Sequence, residues 1–154
     1  MTERDIFNHL LIIATQSKDT DGVVTCCLVR DGEIVLDAVS AGIEHAEYKL
    51  IKKAKERSFE FAENDVLYVT LQPCDSRTPG GGGEPLGDCT TNTTNAGIKN
   101  IVYGATYPKS INSLNRFAEA GVSIRQVADT DIVRECAELF NSTNQDLSKH
   151  IPVA

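Results

Sequence analysis

The chain has no tryptophan and only four tyrosines and five phenylalanines in 154 residues. That leaves little material for the aromatic platforms on which single-stranded nucleic acids stack. It also lacks a surplus of positive charge: 15 Lys and Arg stand against 22 Asp and Glu, a net charge of -7. The averaged field repels phosphate polymers, so an extended nucleic-acid footprint is disfavoured and a small-molecule partner is expected. No apolar run approaches the roughly 18 residues needed to span a bilayer, and the cluster Leu10 to Ala14 is too short. The opening "MTERDIF" has no basic region followed by an apolar stretch, so neither a secretory signal nor an Arg-rich transit peptide is expected, and a cytoplasmic location is the default expectation. Without export, five cysteines point to reduced thiols or metal ligands rather than a disulfide framework.

What is present reads as one domain over residues 1–154, with no internal repeat and no linker. "ERDIFNHLLIIATQ" places Ile6, Leu10, Ile13 and Ala14 at helical spacing, with Thr2 as a cap. Two β-rich runs, Val23 to Val29 and Ile34 to Val39, meet at Asp31-Gly32, a strong two-residue hairpin signal. A second helix is predicted from His45 to about Phe61, with Ala46, Leu50, Ile51 and Ala54 on its inner face. "NDVLYVTL" is a nearly continuous apolar strand, of the kind buried on both sides. A Pro- and Gly-rich stretch from 73 to 89 leads into a short helix closed by Gly97, the strand "IVYGAT", a helix stopped by Gly121, the strand "VSIRQV" and a last helix over 130–147. The order α-β-β-α-β-α-β-α-β-α, with crossover helices after the first hairpin, predicts a three-layer α/β/α sandwich around a five-stranded mixed sheet.

Three candidate ligands fall at element boundaries. His45 opens the second helix, Cys74 follows the buried strand, and Cys89 opens the third helix. In an open sheet, strand ends and helix N-termini meet along one edge, where ligands bind. Catalytic zinc takes three protein ligands, usually nitrogen or sulfur, and keeps one position open. Helix N-termini favour thiolate over thiol. Glu47 is two residues beyond His45, an offset that in mid-helix would turn it to another face. In the first turn His45 need not be fully helical, so both side chains can reach one point, and the carboxylate can then exchange protons with a water there. A His two places before a Glu, or a Pro-Cys alone, is an ordinary pairing. Their order and placement together point to a zinc site.

The pattern "HAE", then Pro73-Cys74, then a second cysteine resembles the signature of the zinc-dependent cytidine and deoxycytidylate deaminase superfamily. Within it, "TLQPCDSRTPGGGGEPLGDCTTNTTNAGIKNIVYG" is most similar to the deaminase domain of bifunctional riboflavin biosynthesis enzymes, in which TLEPC, a GRTP-containing loop, a Cys-led helix ending in AGI and a VVYG-like strand follow one another. "FAEAGVSI" and "ECAELFN" resemble the later elements, so the likeness covers most of the chain and is strongest from Gly42 to Gly104. The resemblance implies a cytidine deaminase-like fold and one Zn2+ per chain on His45, Cys74 and Cys89, with Glu47 as the proton shuttle. It implies hydrolytic removal of an exocyclic amine from a pyrimidine or related small heterocycle as ammonia, a riboflavin-precursor aminopyrimidine being the nearest family substrate. It further implies contacts to substrate from Arg77 and Thr78, which match the RT of the family loop, with Ser76 beside them as a further candidate, and assembly into homodimers or homotetramers.

The departures bear on substrate. Most of the superfamily has two residues between the cysteines and the riboflavin-type domains about eight, whereas this chain has fourteen. The excess, "GGGGEPLG" with its run Gly80 to Gly83, reads as a flexible active-site loop, since no Lys and Ser/Thr complete a phosphate-binding motif. "KDTDGVVT" and "TYPKS" stand where the family has PNP-containing segments that hold the substrate. Two alternatives therefore stay open: a cytosine, cytidine, nucleotide or other nucleobase deaminase, and a non-catalytic zinc-stabilised binding protein. Cys26, Cys27 and Cys136 fit core-facing positions, and His9 and His150 surface or packing positions.

Overall fold

The computed structural model describes residues 1–75 and 86–153. Helix α1 (Glu3–Ala14) begins with a capping box: the Asp5 amide donates to Thr2 Oγ1 at 3.1 Å, and the Thr2 amide donates to Asp5 Oδ2 at 2.9 Å. Strands β1 (Thr25–Arg30) and β2 (Glu33–Val39) form the expected hairpin. Asp31 and Gly32 both take positive φ, 51° and 78°, as a type I′ turn requires. The remaining elements are α2 (Ala46–Glu56), β3 (Val66–Leu71), α3 (Cys89–Ala96), β4 (Asn100–Ala105), α4 (Ser113–Glu119), β5 (Ser123–Gln126) and α5 (Thr130–Ser142), with a 3-10 turn at Leu147–Lys149.

The sheet order is β2-β1-β3-β4-β5. Strand β1 is antiparallel to β2 and β3, and β3, β4 and β5 are parallel. Adjacent residues serve opposite cores. Cys26, Leu28, Leu67, Val69 and Ile101 pack with Leu50, Ile51 and Phe117 beneath α2 and α4, while Cys27, Val29, Tyr68 and Val102 pack with Phe7, Leu10, Ile132 and Phe140 beneath α1 and α5. Burial on both faces explains why these strands read as continuous apolar runs. All three cysteines outside the proposed ligand set are buried, as is the inner face expected for α2. The result is the α/β/α sandwich with a five-stranded mixed sheet that the pattern predicted. Because β2 runs in the same direction as β3, the C-terminal ends of β2, β3 and β4 share one edge, onto which α2 and α3 open.

The largest differences from expectation are at two helix ends. Helix α2 stops at Glu56, short of Phe61, in a Schellman motif: the Phe59 amide donates to Ala54 O at 2.8 Å and the Ser58 amide to Lys55 O at 3.1 Å. Ser58 takes the left-handed position, φ 53°, that glycine normally announces, so no glycine marks the stop. Helix α5 ends at Ser142 because the chain beyond it pairs with residues 20–23. The Val23 amide donates to Thr143 Oγ1 at 2.7 Å and the Gln145 amide to Thr20 O at 2.9 Å. The side chain of Asn141 then grips the backbone of Ile151 through two 2.8 Å bonds, folding the tail back toward the sheet edge.

The connection after α2 is pinned by a salt bridge. Arg30 Nε and Nη2 donate to the two carboxylate oxygens of buried Asp65 at 2.7 and 2.8 Å, and the Ala62 amide donates to Asp65 Oδ2 at 2.7 Å. The Arg30 guanidinium, aided by the Ala62 amide, holds the Asp65 carboxyl below its ordinary range. A carboxyl whose folded pKa is depressed stabilises the fold above its unfolded value and loses that contribution as pH falls through the folded one. Asp65→Asn is therefore expected to cost about 2 kcal/mol at pH 7, below the span for fully buried pairs because Arg30 is partly exposed. In urea titrations the gap to wild type should narrow as pH drops below about 4.

Packing at β4 leads to a second expectation. A Cβ added at Gly104 would lie 2.5 Å from Cys136 Sγ and 2.8 Å from the Thr70 carbonyl oxygen. Backbone cannot yield as a flexible side chain can, so Gly104→Ala should lower the unfolding free energy by about 1–3 kcal/mol in the same titration.

Candidate active site

A two-residue turn precedes α2: the Ala41 amide donates to Glu44 O at 2.9 Å and the Glu44 amide to Ala41 O at 3.0 Å. His45 follows as the helix N-cap with extended backbone, φ −67° and ψ 158°, and its carbonyl accepts from the Lys49 amide at 3.0 Å. This non-helical conformation lets the imidazole and Glu47, in the first helical turn, border the same cavity. Glu47 is 3% exposed. Burial pushes its carboxyl above the ordinary range, with the negative charge of Cys74 acting in the same direction.

Cys74 follows β3 and Cys89 is the first residue of α3, whose N-cap Asp88 accepts from the Thr91 amide at 2.8 Å. Thr90 ties the two cysteine segments together, donating to the Cys74 carbonyl from its amide at 3.0 Å and its hydroxyl at 2.8 Å. The Cys89 amide, at the head of α3 where no preceding helical turn supplies an acceptor, donates to Cys74 Sγ at 3.2 Å. The Cys89 thiol, the His45 ring and this amide together hold the Cys74 thiol down to about 5, so a thiolate stands here at neutral pH. Burial instead lifts the Cys27 and Cys136 thiols to about 12, leaving them inert packing groups.

The donor set fits zinc. His45 Nδ1 lies 3.3 Å from Cys89 Sγ and 3.7 Å from Cys74 Sγ, and the ligand atoms of all three residues fall within 4.8 Å of one another. Nitrogen and sulfur on a tetrahedral zinc would be separated by about 3.6 Å, from bonds of about 2.0 and 2.3 Å. His45, Cys74 and Cys89 thus form a possible zinc site, the one such cluster among the described residues.

Beside the cluster opens a cavity of about 400 Å³, within the size range of small-molecule sites. The two segments that the resemblance marked for substrate both reach it, through Asp19, Asp21, Gly22 and Val24 from "KDTDGVVT" and through Tyr107 and Lys109 from "TYPKS". Gln72 holds the second segment in place: its Oε1 accepts from the Tyr107 amide at 3.1 Å, and its Nε2 donates to Ser110 O at 3.0 Å and Ser113 Oγ at 2.7 Å. Reading the sequence missed Phe140, Asn144 and Lys149, which line the cavity from the end of the chain. Only the long-range pairing of residues 20–23 with 143–145 brings them there, and no local pattern announces it. Ser76, Arg77, Thr78 and the run Gly80 to Gly83 lie outside the described residues. His9 pairs with Asp37 at 2.9 Å and His150 with the Asn144 carbonyl at 2.9 Å, both structural roles.

Residues 2–105 match the family model described as the cytidine and deoxycytidylate deaminase zinc-binding region. The riboflavin biosynthesis protein PYRD of Zea mays, a chloroplast protein, is 32% identical over 125 residues, which make up 77% of this chain and 29% of that protein. The chain thus spans under a third of the length of this curated relative. Among solved structures, the Thermotoga maritima diaminohydroxyphosphoribosylaminopyrimidine deaminase/5-amino-6-(5-phosphoribosylamino)uracil reductase aligns with TM-score 0.72 at 23% identity, over 90% of this chain and 40% of that one. The Aspergillus oryzae Rib2 deaminase, solved in complex with DARIPP, aligns with TM-score 0.74 at 20% identity, over 96% and 94% of the two chains. At such identities the structural likeness establishes the fold.

Proposed function

The chain belongs to the cytidine and deoxycytidylate deaminase family, and from that premise we propose that residues 1–154 form one zinc-dependent aminohydrolase domain that removes the exocyclic amine of a small amino-substituted heterocycle as ammonia. The observation that carries the proposal is the buried carboxyl of Glu47 on the wall of one cavity with His45 and Cys74, two members of the cluster that Cys89 completes. A zinc held for structure alone has no use for an adjacent buried acid.

In this reading His45 Nδ1 and the two cysteine sulfurs hold one zinc per chain. When bound, zinc supplies a Lewis acid that makes water a competent nucleophile at neutral pH. The Glu47 carboxylate takes a proton from the attacking water and delivers it to the departing nitrogen, so that a ring C–O bond forms, the C–N bond breaks and the carboxylate is regenerated. The cavity walls at Tyr107, Lys109 and Asn144 orient the ring, and the cavity size supports a free small molecule over a base within a polymer. We take an aminopyrimidine of riboflavin-precursor type as the first substrate class, supported by the names of the relatives above. Among the described residues, no helix is long and apolar enough to cross a membrane.

The test is ammonia release by zinc-loaded protein across riboflavin-precursor aminopyrimidines, cytosine and its nucleosides and nucleotides, adenine derivatives and guanine. Release from the aminopyrimidines supports the substrate class. Release from cytosine compounds alone moves the assignment to a nucleoside or nucleotide deaminase. Silence across the panel with zinc bound favours the zinc-stabilised binding protein.

A further inference from the structure

Fourteen residues separate Cys74 from Cys89. A spacer of one helical turn would fix the second sulfur relative to the first by covalent geometry, whereas the entropic cost of bringing two ends together rises with the length between them. Something outside that connection has to hold its two ends in register. Thr90 does part of this from within α3. Further contacts come from α4, which contributes no side chain to the metal cluster.

Arg116 is the centre of that second set. Its Nη1 donates to the carbonyl of Asp75 at 2.6 Å, one residue after Cys74. The same nitrogen lies 3.3 Å from Oδ1 of Asp88, one residue before Cys89, and Nη2 donates to Thr91 Oγ1 at 2.6 Å. Asn112, the N-cap of α4, adds a hydrogen bond from its backbone amide to Asp75 Oδ2 at 2.6 Å. The guanidinium thus grips both flanks of the connection at once, and its planar fork of donors is what allows a single side chain to do so. Asp88 and Thr91 are themselves the cap and third residue of α3, so the grip also sets the direction of the helix that presents Cys89 and its amide.

We propose that Arg116 is a positioning residue for the metal centre, preorganising Cys74 and Cys89 at ligand separation without touching metal or substrate. The inference rests on the zinc reading above, and its test is arranged so that the two can fail separately. The probe is the metal alone. Zinc affinity is measured in competition with a chromophoric chelator, and the visible band of the cobalt-substituted protein reports ligand geometry.

Arg116 is partly exposed, so Arg116→Ala is expected to fold, with unfolding of the metal-free protein little changed, yet to bind zinc at least about tenfold more weakly, as for other residues that support ligands from behind. Its cobalt band should shift or broaden. Arg116→Lys, a point charge that reaches one flank at a time, should stay nearer the alanine variant than wild type. Arg134→Ala, which removes an exposed arginine from the ion pairs with Asp131 and Glu138, is the control and should bind zinc as wild type does. A wild-type chain that takes up no zinc overturns the zinc reading and this inference with it. A wild type that binds zinc while Arg116→Ala binds it equally tightly, with an unchanged cobalt band, overturns the inference alone. A loss of metal-free stability in Arg116→Ala without a loss of affinity does the same, since it assigns the arginine to the fold only.

Discussion

Glu47→Gln is expected to retain its zinc and its fold and to lose turnover by about a thousandfold, the middle of the range for a positioned acid-base group and roughly 4 kcal/mol of barrier. Glutamine matches the volume of glutamate, so the packing of the first turn of α2 is preserved. Burial raises the Glu47 carboxyl above its ordinary range, which means that the ionised form is held at a cost in the folded protein. Removing that group should leave stability unchanged or slightly higher. What the amide cannot do is accept a proton from water and pass it on. The measurement is the rate of ammonia release on whichever panel compound the wild type accepts, with metal content checked by elemental analysis. Turnover within a factor of a few of wild type would remove Glu47 from the mechanism and leave the cavity without a proton carrier among the groups proposed.

That Glu47 can be placed at all follows from a feature that was legible in the sequence. "EHAEY" sets a histidine and a glutamate two residues apart, an arrangement that fails inside a helix and works only where the histidine caps it. His45 has extended backbone, a non-helical start that this reasoning allowed for. The strands were equally legible, because residues such as Cys26 and Cys27 face two different cores and leave a continuous apolar run. The helix ends were less so: the stop after α2 relies on Ser58 in a left-handed conformation instead of glycine. Least legible was the far wall of the cavity. Asn144 and Lys149 reach it through hydrogen bonds between segments about 120 residues apart, such as the Val23 amide to Thr143 Oγ1, and neither periodicity nor capping carries information about such pairings. The clamp at Arg116 belongs to the same class. Its three acceptors come from Asp75, Asp88 and Thr91, distant in sequence from α4.

The second large effect expected is on stability through the metal. A ligand that binds only the folded state stabilises it by about 4 kcal/mol when its free concentration is a thousand times the dissociation constant. For a chain of this size that corresponds to roughly 8–16 °C in melting temperature. Adding zinc to metal-free wild type should therefore raise the melting temperature by about 10 °C. Cys89→Ser should abolish most of that increase and leave less than one equivalent bound. Cys89 is fully buried, its amide donates to Cys74 Sγ and its own sulfur lies 3.3 Å from His45 Nδ1, so losing this thiol dismantles the cluster from its centre. The other buried thiols provide the contrast. Cys27 lies in the α1 side of the core, its thiol lifted to about 12, and Cys27→Ala should lower the melting temperature of both forms while leaving the zinc-induced increase intact. If instead the zinc-induced increase survives Cys89→Ser and disappears in Cys27→Ala, the metal binds elsewhere and the proposed ligand set is wrong. If zinc raises the melting temperature of no variant, wild type included, then the short sulfur and nitrogen separations are a packing arrangement, and the chemistry assigned to Glu47 loses the electrophile that it was placed beside.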